Sequence, residues 1–280
     1  MTGFVARQER FAVVGSTNDV VRGWLEDGIP EVCVAVAEEQ TAGRGREGRS
    51  WVAPAGGALL VSLGFRPTWL APDQVWRLAA IVSLAMAAAA QETAGLADRA
   101  IRLKWPNDLV GETSDDRGGV RKLAGVLGET DGLGGVDPRA IIGLGLNTDW
   151  EASAFPRELA ASMTSLRELS DGRAIDHAAL LEAFLGGLEA RTDALRDGRF
   201  DVEEWAGRQI TTGRVVELVA PDGGAARVRA IGVDGSTGAL IVEDPAAETG
   251  TRQVLVGEIR HARLPLPATG ASTPPATAGV

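Results

Sequence analysis

The chain has 280 residues, 45% of them hydrophobic, which is enough for one large domain and a small one. A formal net charge of −10 excludes general affinity for DNA, RNA or an anionic membrane, so any nucleotide site must be a local basic pocket. One cysteine, Cys33, excludes an intrachain disulfide, and residues 1–10 carry charges and no apolar leader, so the expected setting is the reducing cytoplasm.

The patterning predicts a short strand over Phe11–Val14. Gly15-Ser-Thr-Asn-Asp19 then offers capping oxygens for a helix over Val20–Glu26. Val32–Ala37 reads as a buried strand, with Cys33 a packing residue and not a nucleophile. Ala58–Phe65 is a second strand. Pro72–Thr93 is a long helix, whose Ala-rich part around Val75–Ala90 is shorter than a bilayer span and reads as buried. Ile101–Lys104 and Asp108–Val110 flank Trp105-Pro-Asn107. Asp115–Gly119 is a polar turn, and Lys122–Glu129 its return strand. Ala140–Leu146 is another buried strand. Helical patterns follow around Ser165–Leu169, Asp176–Leu195 and Asp201–Ala206.

After Ile210 the texture changes. Val215–Val219, Ala226–Val233, Ala239–Val242 and Gln253–Gly257 are short strands, punctuated by Pro221-Asp-Gly-Gly and Asp234-Gly-Ser-Thr-Gly. The expected fold is therefore α+β: a mixed β-sheet with packed helices over residues 1–210, a small β-barrel over 211–265, and a disordered tail over 266–280.

The most informative segment is Gln40-Thr-Ala-Gly-Arg-Gly-Arg-Glu-Gly-Arg-Ser-Trp51. Three Gly and three Arg fall between Gly43 and Arg49, and an indole closes the run. Gly lets bare N–H groups approach an anion, Arg supplies a forked permanent cation, and Trp offers a flat face. The reading is a loop that wraps an acidic ligand; as a lone signal, an Arg/Gly-rich nucleic-acid contact fits as well.

Four other segments can converge with it. Ser16-Thr-Asn18 can hydrogen-bond a neutral polar ring, although helix capping alone explains Ser16 and Thr17. Lys104-Trp-Pro-Asn-Asp108 sets a carboxylate beside an amide, suited to Mg²⁺ or ribose, or to a capped turn. Lys122-Leu-Ala-Gly125 opens an apolar strand with a cation, which reads as a pocket charge or a solvated edge charge. Gly143-Leu-Gly-Leu-Asn147 implies a close approach of ligand or of packed backbone.

Absences narrow the chemistry. There is no GxxxxGK[ST] loop, and Gly143–Asn147 lacks the third Gly of a dinucleotide fingerprint. The two histidines, His177 and His261, are far apart in sequence, which argues against histidine catalysis and a zinc site. A chain rich in anion binders and poor in acid–base groups favours phosphoryl or nucleotidyl transfer.

Taken together and in this order, GRGREGRSW, KWPND, KLAG and GLGLN resemble the biotin–protein ligase family, over roughly residues 10–150 and with a compatible β-rich end. The resemblance implies a class II synthetase-like catalytic domain with an SH3-like C-terminal barrel. It implies an enzyme that makes biotinyl-5′-AMP from ATP and biotin with Mg²⁺, then transfers biotin to a lysine of a biotin carboxyl carrier domain of acetyl-CoA carboxylase type.

It further implies a biotin site of Ser16, Thr17, Asn18, Gln40, Gly43, Arg44, Gly45, Arg46, Lys122, Gly125, Gly143 and Gly145. The nucleotide would meet Arg49, Trp51, Lys104, Asn107 and Asn147, with Asp108 at Mg²⁺ and with Lys122, Arg46 and Arg49 catalytic. The expected assembly is a monomer or homodimer without nucleic acid or membrane. Motifs that begin by Ser16 leave no room for the N-terminal winged helix some members carry, so transcriptional repression is not implied. A lipoate–protein ligase, which shares fold and adenylate chemistry, and a non-catalytic biotin- or nucleotide-binding module are the rival readings.

Overall fold

A computed structural model describes residues 3–113, 119–220, 222–255 and 257–260. Most of the expected polar turn after residue 114, the tail over 266–280 and His261 lie outside the described residues.

The larger sheet has seven strands in the order β1-β2-β3-β7-β6-β5-β4. These are β1 (Arg7–Val14), β2 (Cys33–Gln40), β3 (Ala58–Phe65), β4 (Ile101–Lys104), β5 (Asp108–Thr113), β6 (Gly119–Asp131) and β7 (Arg139–Asn147). β1 and β2 are parallel, because helix α1 (Thr17–Glu26) carries the chain back between them; every other pair is antiparallel. Central strands β3 and β7 are almost wholly buried, so they read as continuous apolar runs without alternation.

The two faces still differ, and strand period decides how. Val34, Val36, Leu59, Val61, Leu63, Ile142, Leu144 and Leu146 join one core with α2 (Trp76–Ala94) and α4 (His177–Arg196). The intervening positions of β3 and β7 include the small or polar Ser62, Gly64, Gly143 and Gly145, with Leu60 and Ile141 the large exceptions. On that face α1 covers Cys33, Ala35 and Ile141 through Val21, Trp24 and Leu25, Phe11, Val14, Trp51 and Ala53 pack on Ala37, Ala58 and Leu60, and a cavity stays open beside them. Burial pushes the Cys33 thiol up to about 11, in keeping with an inert core residue.

Pro72–Ala94 is long and apolar enough by length and composition to cross a membrane, but 67% of its apolar 18-residue window is buried inside the protein as a core element. The expected single helix from Pro72 begins instead as a 3₁₀ turn over Pro72–Gln74, with α2 following from Trp76.

A bulge in β6 matters most for the site. Leu109 faces Ala124 in register, but its neighbour Val110 faces Lys122, so Leu123 is the extra residue. Leu123 and Ala124 both enter the helix-side core, while Lys122 and Gly125 line the opposite, open face. Uninterrupted alternation would put Lys122 on the same side as Ala124, in the core.

After the short helices α3 (Leu166–Leu169) and α5 (Val202–Gly207), a five-stranded antiparallel sheet runs β11-β10-β9-β8-β12. Its strands are β8 (Val215–Val219), β9 (Ala225–Val233), β10 (Leu240–Glu243), β11 (Thr251–Val254) and β12 (Glu258–Arg260), consistent with a small SH3-like barrel. Its core is completed from outside by Trp105, 3% exposed, which packs with Val216, Leu218, Leu240 and Val242. The Trp105 indole N–H donates to the Gly238 carbonyl at 3.0 Å. Leu103 exchanges backbone bonds with Arg208 and Ile210, which fastens β4 to the lead-in of the barrel.

Trp105→Ala is therefore expected to destabilise the protein by about 3–5 kcal/mol, the usual cost of emptying a buried aromatic site. A urea melt followed by far-UV circular dichroism measures it; an unchanged midpoint would show that the barrel does not depend on this side chain.

Candidate functional site

The open face of the sheet carries a cavity of about 450 Å³. It is lined by Ser16, Thr17, Asn18, Gln40, Arg44, Gly45, Arg46, Arg49, Trp51, Lys104, Asn107, Asp108, Lys122, Gly125, Gly143 and Gly145, together with residues not expected from sequence. Segments as distant in sequence as Ser16 and Gly145 thus meet because β2, β3, β7, β6 and β5 run side by side in one sheet.

One end is neutral and polar. Gln40 Oε1 accepts from the Thr17 backbone N–H at 2.7 Å and from Thr17 Oγ1 at 3.0 Å. Ser16 precedes α1, yet its hydroxyl makes no capping bond to that helix, so capping does not account for it. Ser62 Oγ lies 2.7 Å from Thr17 Oγ1 and 2.6 Å from Asn18 Oδ1, a fully buried hydroxyl that sets both side chains. Asn18 also donates to Glu129 Oε2 at 2.7 Å and lies over Gly143, where a Cβ would collide with it.

The other end is cationic. Four basic side chains, Arg46, Arg49, Lys104 and Lys122, line it against one carboxylate, Asp108, while a fifth cavity cation, Arg44, shares Glu129 with Asn18 at the polar end. Lys122 Nζ is 2.7 Å from Asp108 Oδ1, and Lys104 Nζ is 3.5 Å from Oδ2. The backbone of Lys122 is pinned in turn: its N–H donates to Ser162 O at 2.7 Å and its carbonyl accepts from Thr164 N at 2.9 Å.

Arg46 donates to Asn107 Oδ1 at 3.5 Å and to the Gly257 carbonyl at 3.3 Å, so the glycine loop touches both the KWPND turn and the barrel. Trp51 lies over Gly125 and Gly145, which are register partners on β6 and β7. Lys122 Nζ sits 5.5 Å from the centre of its ring.

Arg44 is committed elsewhere. It makes a bidentate pair with Asp19 at 2.8 and 2.7 Å and reaches Glu129 at 3.5 Å. The hydrogen bond to Arg44 holds the Asp19 carboxyl below its ordinary value, and the same bond raises Arg44 above the usual arginine range.

Two expected residues do not line the cavity. Gly43 accepts the Trp51 N–H at 2.9 Å, and a Cβ there would stand 2.6 Å from the Trp51 carbonyl, so its bareness serves the loop's own crossing. Asn147 is fully buried and donates to Thr164 O at 2.9 Å. Asp108, expected at Mg²⁺, is engaged by two ammonium groups, and among the described residues no cluster of three His, Cys, Asp or Glu could hold a metal. These residues do not fit a protein-held Mg²⁺ site.

Residues missed from sequence include Ser62, Asp19, Glu129, Gly257 and the 159–163 segment. Ser62 had a readable signal, a hydroxyl inside Leu-Val-Ser-Leu; Gly257 had none, since only folding brings the barrel to Arg46.

Residues 11–147 match the Biotin/lipoate A/B protein ligase family. The chain is 33% identical over 215 residues, 76% of its own length and 74% of the other's, to the biotin–[acetyl-CoA-carboxylase] ligase of Mycobacterium tuberculosis. It is 32% identical over 240 residues, 82% of this chain and 90% of the relative, to the enzyme of that name from Paracoccus denitrificans. The chain belongs to the biotin protein ligase family. The fold agrees with a solved biotin protein ligase from Aquifex aeolicus in complex with biotin and ATP, at TM-score 0.72 and 23% identity, covering 91% of this chain and 97% of that one. The chain spans about half the length of a further relative, the bifunctional ligase/repressor BirA of Bacillus subtilis, to which it is 30% identical over 179 residues, 64% of this chain and 51% of that one.

Within this family member the glycine shelf under Trp51 is a sharp constraint. An added Cβ at Gly145 would lie 2.5 Å from Trp51 Cε2. Gly145→Ala is expected to expel the indole and shift its fluorescence to longer wavelength, with little change in melting temperature; an unshifted spectrum would mean that Trp51 does not depend on the shelf.

The loop fastening should follow the Asp19 carboxyl. Its folded pKa lies below the ordinary 3.8, so the fastening is fully present above that value and is lost as pH falls through the folded one. Amide exchange of residues 43–46, corrected for intrinsic rates, is expected to stay flat from about pH 8 to about pH 5, while Asp19→Asn speeds it throughout that range. Equal protection in the variant would refute the fastening.

Proposed function

We propose that the cavity joins biotin to ATP and then hands the biotinyl group to a carrier lysine. In the first step a biotin carboxylate oxygen bonds to the α-phosphorus, the bond from that phosphorus to the bridging oxygen breaks, and pyrophosphate leaves with the electron pair. In the second, the carrier ε-amine attacks the acyl carbon of biotinyl-5′-AMP, the acyl–oxygen bond breaks, AMP departs and the amine proton passes to solvent. The relatives' names support an acetyl-CoA carboxylase carrier as acceptor. Its use of ATP places the reaction in the cytoplasm.

The observation that carries this reading is one cavity that holds a neutral polar cluster, Thr17, Gln40 and Ser16, together with four cations, Arg46, Arg49, Lys104 and Lys122. Biotin has that form, a ureido ring at one end and a carboxylate at the other. Thr17, Gln40 and Ser16 suit the ring. Lys122, with Arg46 and Arg49 opposite, suits the place where carboxylate meets α-phosphate. Two like charges 4 Å apart repel by about 4 kcal/mol at an effective dielectric near 20, and fixed cations offset that without rearranging. The nucleophilic carboxylate is already ionised, so this step needs no base, and none of the cavity residues is a histidine.

Trp51, Asn107 and Lys104 are assigned to the nucleotide. Asp108 is assigned to orienting the two lysines. Any Mg²⁺ would come with the triphosphate and not from a protein cage. The division is a catalytic part over 1–210 and an SH3-like barrel over 211–265, with the barrel reaching the nucleotide loop through Gly257 and Arg46.

Lys122→Ala is expected to lower biotin-dependent pyrophosphate release by at least about 100-fold while the melting curve stays within a few degrees. Near-normal release would overturn the role. Labelled-biotin incorporation into a carrier domain, with lipoate as the competing substrate, tests the reaction itself; lipoate incorporation in place of biotin would move the chain to the other branch of its family.

A further inference from the structure

Of the 28 basic residues only two are lysines, Lys104 and Lys122, and all the others are arginines. Both lysines lie in the cavity, and both are engaged by the same carboxylate, Asp108. Outside the site the chain carries no ε-amine. This composition matters because the proposed intermediate is a mixed anhydride, which acylates any unprotonated amine it meets. The amine nitrogen bonds to the acyl carbon, AMP leaves, and a stable biotin amide remains.

We infer that this ligase spares itself from its own acylating product by presenting guanidinium groups, and no free amine, wherever the adenylate can reach. The inference rests on the adenylate chemistry proposed above. The cavity rim shows the device locally. Arg46 and Arg49 supply the charge that holds an anion, and a guanidinium is always protonated and is no acyl acceptor. An ammonium would give the same charge at those positions but would also release a nucleophilic amine for a fraction of the time.

Lys122 and Lys104 are the exceptions, and each is held as a charged partner of Asp108, with side chains only 32% and 13% exposed. The two ion pairs tie both ammonium groups to Asp108 and fix where they lie in the cavity. The amine that reaches the anhydride is then the one the carrier brings.

The test uses the full-length protein with ATP, labelled biotin and a lysine-rich bystander protein, without carrier, followed by peptide mapping of both proteins. Label on bystander lysines and none on Lys104 or Lys122 is the expected result. Biotin amide on either lysine of the ligase, with the bystander also labelled, would overturn the inference while leaving the proposed activity intact. No adenylate and no label anywhere would count against that activity instead.

Leu159→Lys supplies the converse, since Leu159 lines the cavity and is 36% exposed. That variant is expected to gain one biotin per chain, mapped to position 159. A Leu159→Lys chain that makes adenylate and labels the bystander but stays unmodified would show that lysine content is not what protects the enzyme. Arg157→Lys, a second exposed position in the same segment, guards against a folding failure in the first variant.

Discussion

The site depends on one ion pair, Lys122 with Asp108, and on the backbone irregularity that makes it possible. A strand alternates its side chains, so the apolar run of β6 would draw Lys122 to the helix-side core. The extra residue at Leu123 turns Lys122 toward Gly125 and the open face, where Asp108 meets it at 2.7 Å. An unpaired ammonium at a mostly enclosed position would carry a desolvation penalty. The carboxylate offsets that penalty, and Lys104 on its far oxygen keeps the cluster net positive. The anion-binding character of the cavity follows from that excess.

The rest of the open face is arranged to leave room. β3 and β7 place most of their large side chains against α2 and α4, and put Ser62, Gly143 and Gly145 on the side of the cavity. Asn18 and Trp51 occupy the space the glycines leave. These two side chains rest on backbone, so a single methyl group at Gly143 or Gly145 would displace them. Bare strands are weak in isolation; here burial between neighbouring strands holds them, and their function is the clearance they provide.

Charge is organised at two scales. The molecule as a whole is acidic, while the cavity is lined by five cations and a single carboxylate. Arg44 is withdrawn from the ligand end by Asp19 and Glu129, so it fastens the glycine loop to α1 and β6. Arg46 and Arg49 stay at the cavity. The barrel is joined to the same loop through Gly257, and to the catalytic part through Trp105. Its docking and the shape of the site are therefore coupled.

Sequence alone determined the residues with local signatures. The Gly/Arg loop, KWPND, KLAG and GLGLN announced an anion-binding transferase because their residue types carry their chemistry wherever they sit. Strands β3, β4 and β8 were legible to the residue, because apolar runs bounded by Gly, Pro or polar turns mark burial directly. Tertiary structure alone decided what each signature touches. It gave Arg44 to Asp19, tied Asn147 to the Thr164 carbonyl, and used Asp108 to hold two lysines. It also recruited Ser62 and Gly257, which carry no distinctive pattern. The reason is physical: propensity and periodicity act over a few residues, whereas side-chain partners are fixed by strand register, by one bulge, and by contacts between segments more than a hundred residues apart.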